Sequence, residues 1–176
     1  MREREEALRR NAELMASLSL VDELTQLRNR RGFYELANQA LKIARRENYQ
    51  MGIFFVDLNG LKQINDQLGH LVGDQALRDT ADVLRKTFRE SDIVARLGGD
   101  EFIALAHVQQ DTSVVRERLR EQLNQHNASV TRPYKLDVSI GTTVVSLSAN
   151  DDIDALIALA DASMYEEKRA KRLPPD

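Results

Sequence analysis

Apolar positions change their spacing several times along the chain, and each change predicts a new element. The opening MREREEALRRNAELMASLSLVDELTQL is rich in strong helix formers, with Leu8, Ala12, Met15 and Leu18 at helical or near-heptad spacing. A single apolar stripe on a charged helix suits either packing on its own domain or pairing with a second chain. Its place ahead of the compact part favours a connector helix over residues 1–21. RNRRGFYELANQALKIARRENYQ follows as a helix with Phe33, Leu36, Ala37, Ala40, Leu41 and Ala44 on its inner face. MGIFFVDL is then an apolar run interrupted only by Asp57 near its end, the pattern of a strand buried on both faces.

A polar loop holding Gly60, Asn65, Gly69 and Gly73 is expected next, leading into a helix over DQALRDTADVLRKTF. DIVARLGGDEFIALA reads as strand, turn, strand, with Gly98-Gly99 marking a hairpin. A helix over 113–124 carries Val114, Val115, Leu119 and Leu123, and KLDVSIGTTVVSL is a strand by its β-branched content. The closing DIDALIALADASMYEEKRAKR predicts a helix with Ile153, Leu156, Ile157, Ala160 and Met164 inside. The order α-β-α-β-β-α-β-α predicts an α+β domain with helices packed on a central sheet.

Composition narrows the function. At 176 residues the chain suits one domain with a full core, and 42% hydrophobic with 30% charged residues is ordinary for a globular protein. Lys+Arg 25 against Asp+Glu 28 leaves a net charge of −3, which argues against a nucleic-acid partner. The absence of cysteine excludes disulfides, thiolate zinc sites and thiol catalysis, and fits a reducing cytoplasm. No apolar run has the length to span a bilayer, and the charged N-terminus is unlike a signal peptide.

Chemistry concentrates in two places. Asp57 closes a buried strand, while Asp100 and Glu101 sit at a hairpin, so neighbouring strands would bring three carboxylates to one edge. Such a set repels itself unless cations intervene, and hard oxygen ligands suit Mg²⁺ or Mn²⁺. On spacing alone, a solvated turn is the better explanation of these acids. In NGLKQINDQLGHLVGD, backbone N–H groups near the glycines can cradle phosphate, and an Asn with an Asp can read a guanine edge. The plainer alternative is a helix start at Asn65 and Asp66 with ordinary glycine turns. Lys168 and Arg172 lie four apart, on one helical face.

Taken together, four ordered segments resemble the GGDEF family of diguanylate cyclases: DELTQLRNRRGF at 22–33, FVDLNGLKQINDQLGHLVGD at 55–74, RLGGDEF at 96–102 and ADASMYEEKRAKR at 160–172. The resemblance implies a catalytic domain over 22–176, with a mainly antiparallel sheet flanked by helices like that of adenylyl cyclase catalytic domains and polymerase palms. It implies condensation of two GTP into cyclic di-GMP and two pyrophosphates by a homodimer, each 3′-hydroxyl attacking the other nucleotide's α-phosphate. Two Mg²⁺ or Mn²⁺ per site would be held by Asp57, the Leu58 carbonyl, Asp100 and Glu101, with Asp57, Asp100 and Glu101 as the catalytic acids. Asn65 and Asp74 would recognise guanine, the Leu61 and Lys62 backbone would approach the phosphates, and Lys168 and Arg172 would hold the terminal phosphates. Arg89 and Asp92, in RESD, match the family's RxxD site for inhibitory cyclic di-GMP, with one of Arg116, Arg118 or Arg120 to complete it.

Three positions depart from the commonest family pattern. Asn59 replaces a frequent Asp, Gln26 a frequent Gly, and Lys171 the usual Gly before Arg172. The retained acids favour an active cyclase over a catalytically weak receptor for cyclic di-GMP. A charged helix that begins in mid-pattern predicts an upstream sensor domain. The chain would then lie in the cytoplasm, alone or as the cytoplasmic part of a membrane-anchored protein.

Overall fold

The apolar run at 51–58 becomes the central strand of a four-stranded sheet. The computed structural model describes residues 2–146, 148 and 151–172. Its elements are α1 (Arg2–Leu18), α2 (Arg30–Glu47), β1 (Met51–Leu58), α3 (Leu61–Leu68), α4 (His70–Thr87), β2 (Ile93–Gly98), β3 (Glu101–His107), α5 (Ser113–Ser129), β4 (Val138–Val144) and α6 (Ile153–Arg172). The strand order is β2-β3-β1-β4, antiparallel throughout. This is the α+β arrangement that the alternating pattern predicts.

Every residue of β1 is buried, because the sheet is covered on both faces. Strand alternation sends Phe54, Val56 and Leu58 toward Ala76, Leu77 and Leu84 of α4 and Leu119 of α5. It sends Ile53 and Phe55 toward Phe33, Ala37 and Leu41 of α2 and Leu156, Ala160 and Met164 of α6. The two apolar clusters are thus the two faces of one sheet. Asp57 shares its face with Ile53 and Phe55, the face that α6 covers.

Both sheet edges are closed by side chains or backbone rather than left open. Along β4, the Ile140 N–H donates to Glu167 Oε1 (3.2 Å) and the Thr142 N–H to Ser163 Oγ (3.4 Å), both on α6. Gly141 permits this approach, since a Cβ there would stand 1.8 Å from the Ala160 carbonyl oxygen. Along β2, the Arg28 N–H donates to the Val94 carbonyl (3.3 Å) and Arg96 returns a bond to the Arg28 carbonyl (2.9 Å).

Three details differ from the sequence expectation. The segment read as a polar loop is helical: Leu61, Ile64 and Leu68 recur at helical spacing, and its glycines lie at helix ends, with Gly69 at φ +91° forming the break into α4. Helix α5 continues to Ser129, five residues beyond the expected end. Val114 is 67% exposed, and its neighbour Val115 takes the inward position instead. On α1, Leu8 and Met15 are 65% and 73% exposed, so the domain does not cover that stripe. The Leu18 side chain and Leu147, at the end of the expected last strand, lie outside the described residues. Among the described residues no helix is long and apolar enough to cross a membrane.

One buried polar network fixes the connection from α5 to β4. Asp79 on α4 accepts from Gln75 Nε2 (2.8 Å), Arg132 Nε (2.8 Å), Arg132 Nη2 (3.2 Å) and the Tyr134 hydroxyl (2.6 Å). Asn127 clamps Leu136 through two bonds of 2.8 Å. The start of β4 is therefore held on both sides before it reaches the sheet.

Candidate active site

Sheet register brings the expected acids to one place. Asp57 stands opposite Glu101 in the β1–β3 ladder, so both side chains leave the same face. The Leu58 N–H donates to the Asp100 carbonyl (2.9 Å), fixing the hairpin tip against the end of β1. Gly98 and Gly99 adopt φ +141° and +51°, and the space above both is open. Gly99 forms the two-residue turn with Asp100, and Gly98 lies at the irregularity in β2 just before it; a side chain at either position would oppose its positive φ. Arg96 holds the tip from behind: Nε and Nη2 donate to the Gly99 carbonyl (3.0 and 2.8 Å), and Nη1 reaches both oxygens of Asp22 (3.3 Å).

Asp57 is 5% exposed and has one strong donor, Lys168 Nζ, at 3.0 Å from Oδ1. Burial pushes its carboxyl above the usual range; the Lys168 bond opposes this, while the charges of Asp100 and Asp161 add to it. Glu101 is raised too, by burial and then by Asp100, Asp57 and Asp161. The site is short of positive charge. Sequence reading missed Asp161, although it lies two helical turns before Lys168 and shares its face.

A cavity of about 440 Å³ opens beside this cluster. Its walls include Leu58, Leu61, Lys62, Asp100, Lys168 and Arg172, six of the expected site residues from four parts of the chain. Asn65 and Asp74 lie outside that lining; Asn65 packs against Gly73, the residue before Asp74, with its Oδ1 1.8 Å from where a Cβ of residue 73 would stand. Lys168, expected at the terminal phosphates, lines the cavity while bound to Asp57.

The donor chemistry fits a hard divalent cation. Asp100 lines the cavity and Asp57 lies behind Lys168, which lines it, and the deficit of donors at Asp57 is what a cation relieves. Among the described residues no three carboxylates already converge on one point. One or two carboxylates completed by phosphate oxygens suit Mg²⁺ better than a cage made of protein alone.

Arg89 and Asp92 occupy a separate place, in the turn from α4 to β2. The Arg89 N–H donates to Asp92 Oδ2 (2.7 Å) and the Asp92 N–H to the Arg89 carbonyl (3.0 Å). A second cavity, about 350 Å³, is lined by Arg89, Asp92 and Arg118. Arg116 is committed instead to Glu167 at 2.6 Å, with Arg120 at 3.8 Å from the same carboxylate. Geometry thus separates three arginines that the sequence leaves equal.

A family model described as "Diguanylate cyclase, GGDEF domain" matches residues 19–173. The chain belongs to the GGDEF domain family. It is 36% identical over 168 residues to the diguanylate cyclase DgcP of Escherichia coli (strain K12), covering 94% of this chain and 49% of that protein. It is 34% identical over 162 residues to the cyclic di-GMP phosphodiesterase NbdA of Pseudomonas aeruginosa, covering 90% of this chain and 20% of that one. The chain therefore spans about half, or less, of the length of these curated relatives. Among solved structures, the coiled coil and GGDEF domain of DgcB from Caulobacter crescentus, in complex with c-di-GMP, superposes with a TM-score of 0.79 at 26% identity. That match covers 97% of this chain and 91% of that one.

Within the GGDEF frame, one departure acquires a physical meaning. Gln26 adopts φ +59°, a left-handed conformation in which glycine is unstrained, and its side chain donates back to the Glu23 carbonyl (2.8 Å).

Proposed function

We propose that this GGDEF domain condenses two GTP molecules into cyclic di-GMP with release of two pyrophosphates. The observation that carries the reading is the cavity itself, which gathers Leu58, Leu61, Lys62, Asp100, Lys168 and Arg172 beside the charge-deficient Asp57. Asp57, Asp100, Glu101 and the Leu58 carbonyl would hold Mg²⁺ or Mn²⁺, two per site. The metal supplies charge neutralisation at the reacting phosphate. The Leu61 and Lys62 backbone approaches the phosphates, Lys168 and Arg172 bind their terminal end, and Asn65 with Asp74 reads guanine. A divalent cation on Asp57 would replace the Lys168 bond to that carboxylate, and the Lys168 ammonium would then be free for phosphate.

Each domain binds one nucleotide, so turnover requires two copies face to face, each 3′-hydroxyl aligned on the other's α-phosphate. The exposed Leu8–Met15 stripe on α1 supports pairing through the connector. A sensor domain upstream would control that pairing, and the domain would work in the cytoplasm, where GTP is available. Arg89 and Asp92, with Arg118 beside them, form the proposed inhibitory site for cyclic di-GMP.

Purified protein incubated with GTP and Mg²⁺ is expected to yield cyclic di-GMP and pyrophosphate. Arg89→Ala should relieve inhibition by added product. GTP binding with no turnover under conditions that favour the dimer would replace the cyclase reading with that of a nucleotide receptor.

A further inference from the structure

Two of the residues at which this chain departs from the common family pattern, Asn59 and Lys171, are bound to the same carboxylate. Asp137 directly precedes β4, 57% exposed at its side chain, and each oxygen has its own partner. Asn59 Nδ2 donates to Oδ2 (2.8 Å) and Lys171 Nζ to Oδ1 (2.9 Å). Lys171 Nζ also donates to the Val138 carbonyl (2.6 Å). Asn59 is fixed in turn by Ser139, whose Oγ accepts from Nδ2 (3.0 Å) and donates to Oδ1 (3.1 Å). Asp137 cannot drift, because the Asn59 N–H donates to its carbonyl (2.8 Å) and Asn127 clamps its neighbour Leu136.

All four groups line the cavity described above, together with Lys62, Lys168 and Arg172. An aspartate at 59 would oppose Asp137 across a 2.8 Å contact, so the neutral amide is what allows a carboxylate there. A glycine at 171 would leave that carboxylate without its cation. The departures form one unit with a common effect: a lysine held ready at the cavity wall. Its bond to Asp137 joins two side chains that are 40% and 57% exposed, a pairing that water keeps weak. A polyphosphate offers a lysine more negative charge and several acceptor oxygens.

We propose that Lys171 is a specificity-determining phosphate ligand, held by Asp137 and handed to the terminal phosphates of the nucleotide and then to pyrophosphate. The inference rests on reading this cavity as the triphosphate site. It makes the chain favour triphosphates over shorter nucleotides and retain its pyrophosphate product more tightly.

Titration calorimetry of the whole chain in Mg²⁺, with pyrophosphate, a non-reacting GTP analogue and GMP as probes, tests it. Lys171→Gly should weaken pyrophosphate and the GTP analogue about tenfold and leave GMP unchanged. Lys171→Arg should retain most of the affinity, and Asp137→Asn should tighten pyrophosphate by releasing the lysine. Equal pyrophosphate affinity in the wild type and Lys171→Gly overturns the proposal, as does equal weakening of GMP. Weakening by Asp137→Asn also overturns it, because the pair would then act through the fold. A wild type that binds neither pyrophosphate nor the GTP analogue removes the triphosphate reading and this proposal with it.

Discussion

Asp57 and Asp79 are both buried aspartates, 5% and 2% exposed, yet the protein treats them in opposite ways. Asp79 takes four hydrogen bonds from Gln75, Arg132 and Tyr134. Burial alone would raise its pKa, but those bonds outweigh it and hold the carboxyl at about 2. Asp57 has Lys168 alone and faces the charges of Asp100 and Asp161, and its pKa is raised. Asp79, tied into the fold, is oversupplied with donors, while Asp57, the proposed catalytic acid, is left wanting a cation.

The largest expected effect separates the two by activity. Asp57→Asn and Asp100→Ala should each lower cyclic di-GMP formation at least about a thousandfold, by removing charge from the reacting site. Asp57→Asn should cost little stability, because the amide oxygen still accepts from Lys168 and one repulsive charge is gone. Turnover assays beside calorimetric melting check both halves. A variant that melts far below the wild type would make Asp57 a second Asp79 and dissolve the contrast.

Asp79→Asn should do the reverse. Breaking a buried, paired carboxylate costs about 3 kcal/mol, which lowers the melting temperature of a domain this size by roughly 6–12 °C. Turnover well below that temperature should change little. The same residue predicts an acid limit. Its folded pKa lies below the ordinary 3.8, so its stabilisation is complete above about pH 5 and drains away as the pH falls toward 2. Denaturant unfolding at several pH values should show the wild type losing its advantage over Asp79→Asn across that interval.

The contrast was only half legible in the sequence. β1 was readable because a strand buried on both faces has few alternatives, and the hairpin because Gly98-Gly99 permits the turn. Asp57, Asp100 and Glu101 could be singled out by residue type and position. Their surroundings could not: Lys168 lies 111 residues from Asp57, and Arg132 lies 53 from Asp79. Nothing local marks which aspartate receives donors. Helix α3 is hard to tell from a loop in the sequence, because it is eight residues long, bears glycines at both ends and buries no residue fully. Nothing local marks Asp137 either, since its partners Asn59 and Lys171 lie 78 and 34 residues away.

The smallest effect is the most direct probe of the missing charge. A ligand that binds only the folded state raises stability by RT ln(1 + [L]/Kd), so Mg²⁺ at ten times its Kd adds about 1.4 kcal/mol, or roughly 3–6 °C in melting temperature. The wild type should show that rise without nucleotide, because Asp57 and Asp100 gain a counter-charge that Lys168 supplies only in part. Asp57→Asn should lose most of it. Asp79→Asn should melt lower throughout but keep the same increment, since its carboxylate is already saturated with protein donors. Melting curves for the three proteins across a Mg²⁺ series therefore isolate one carboxylate from the other. An equal rise in the wild type and Asp57→Asn would place the cation elsewhere, and the raised pKa of Asp57 would then reflect burial and its acidic neighbours with no cation site behind it.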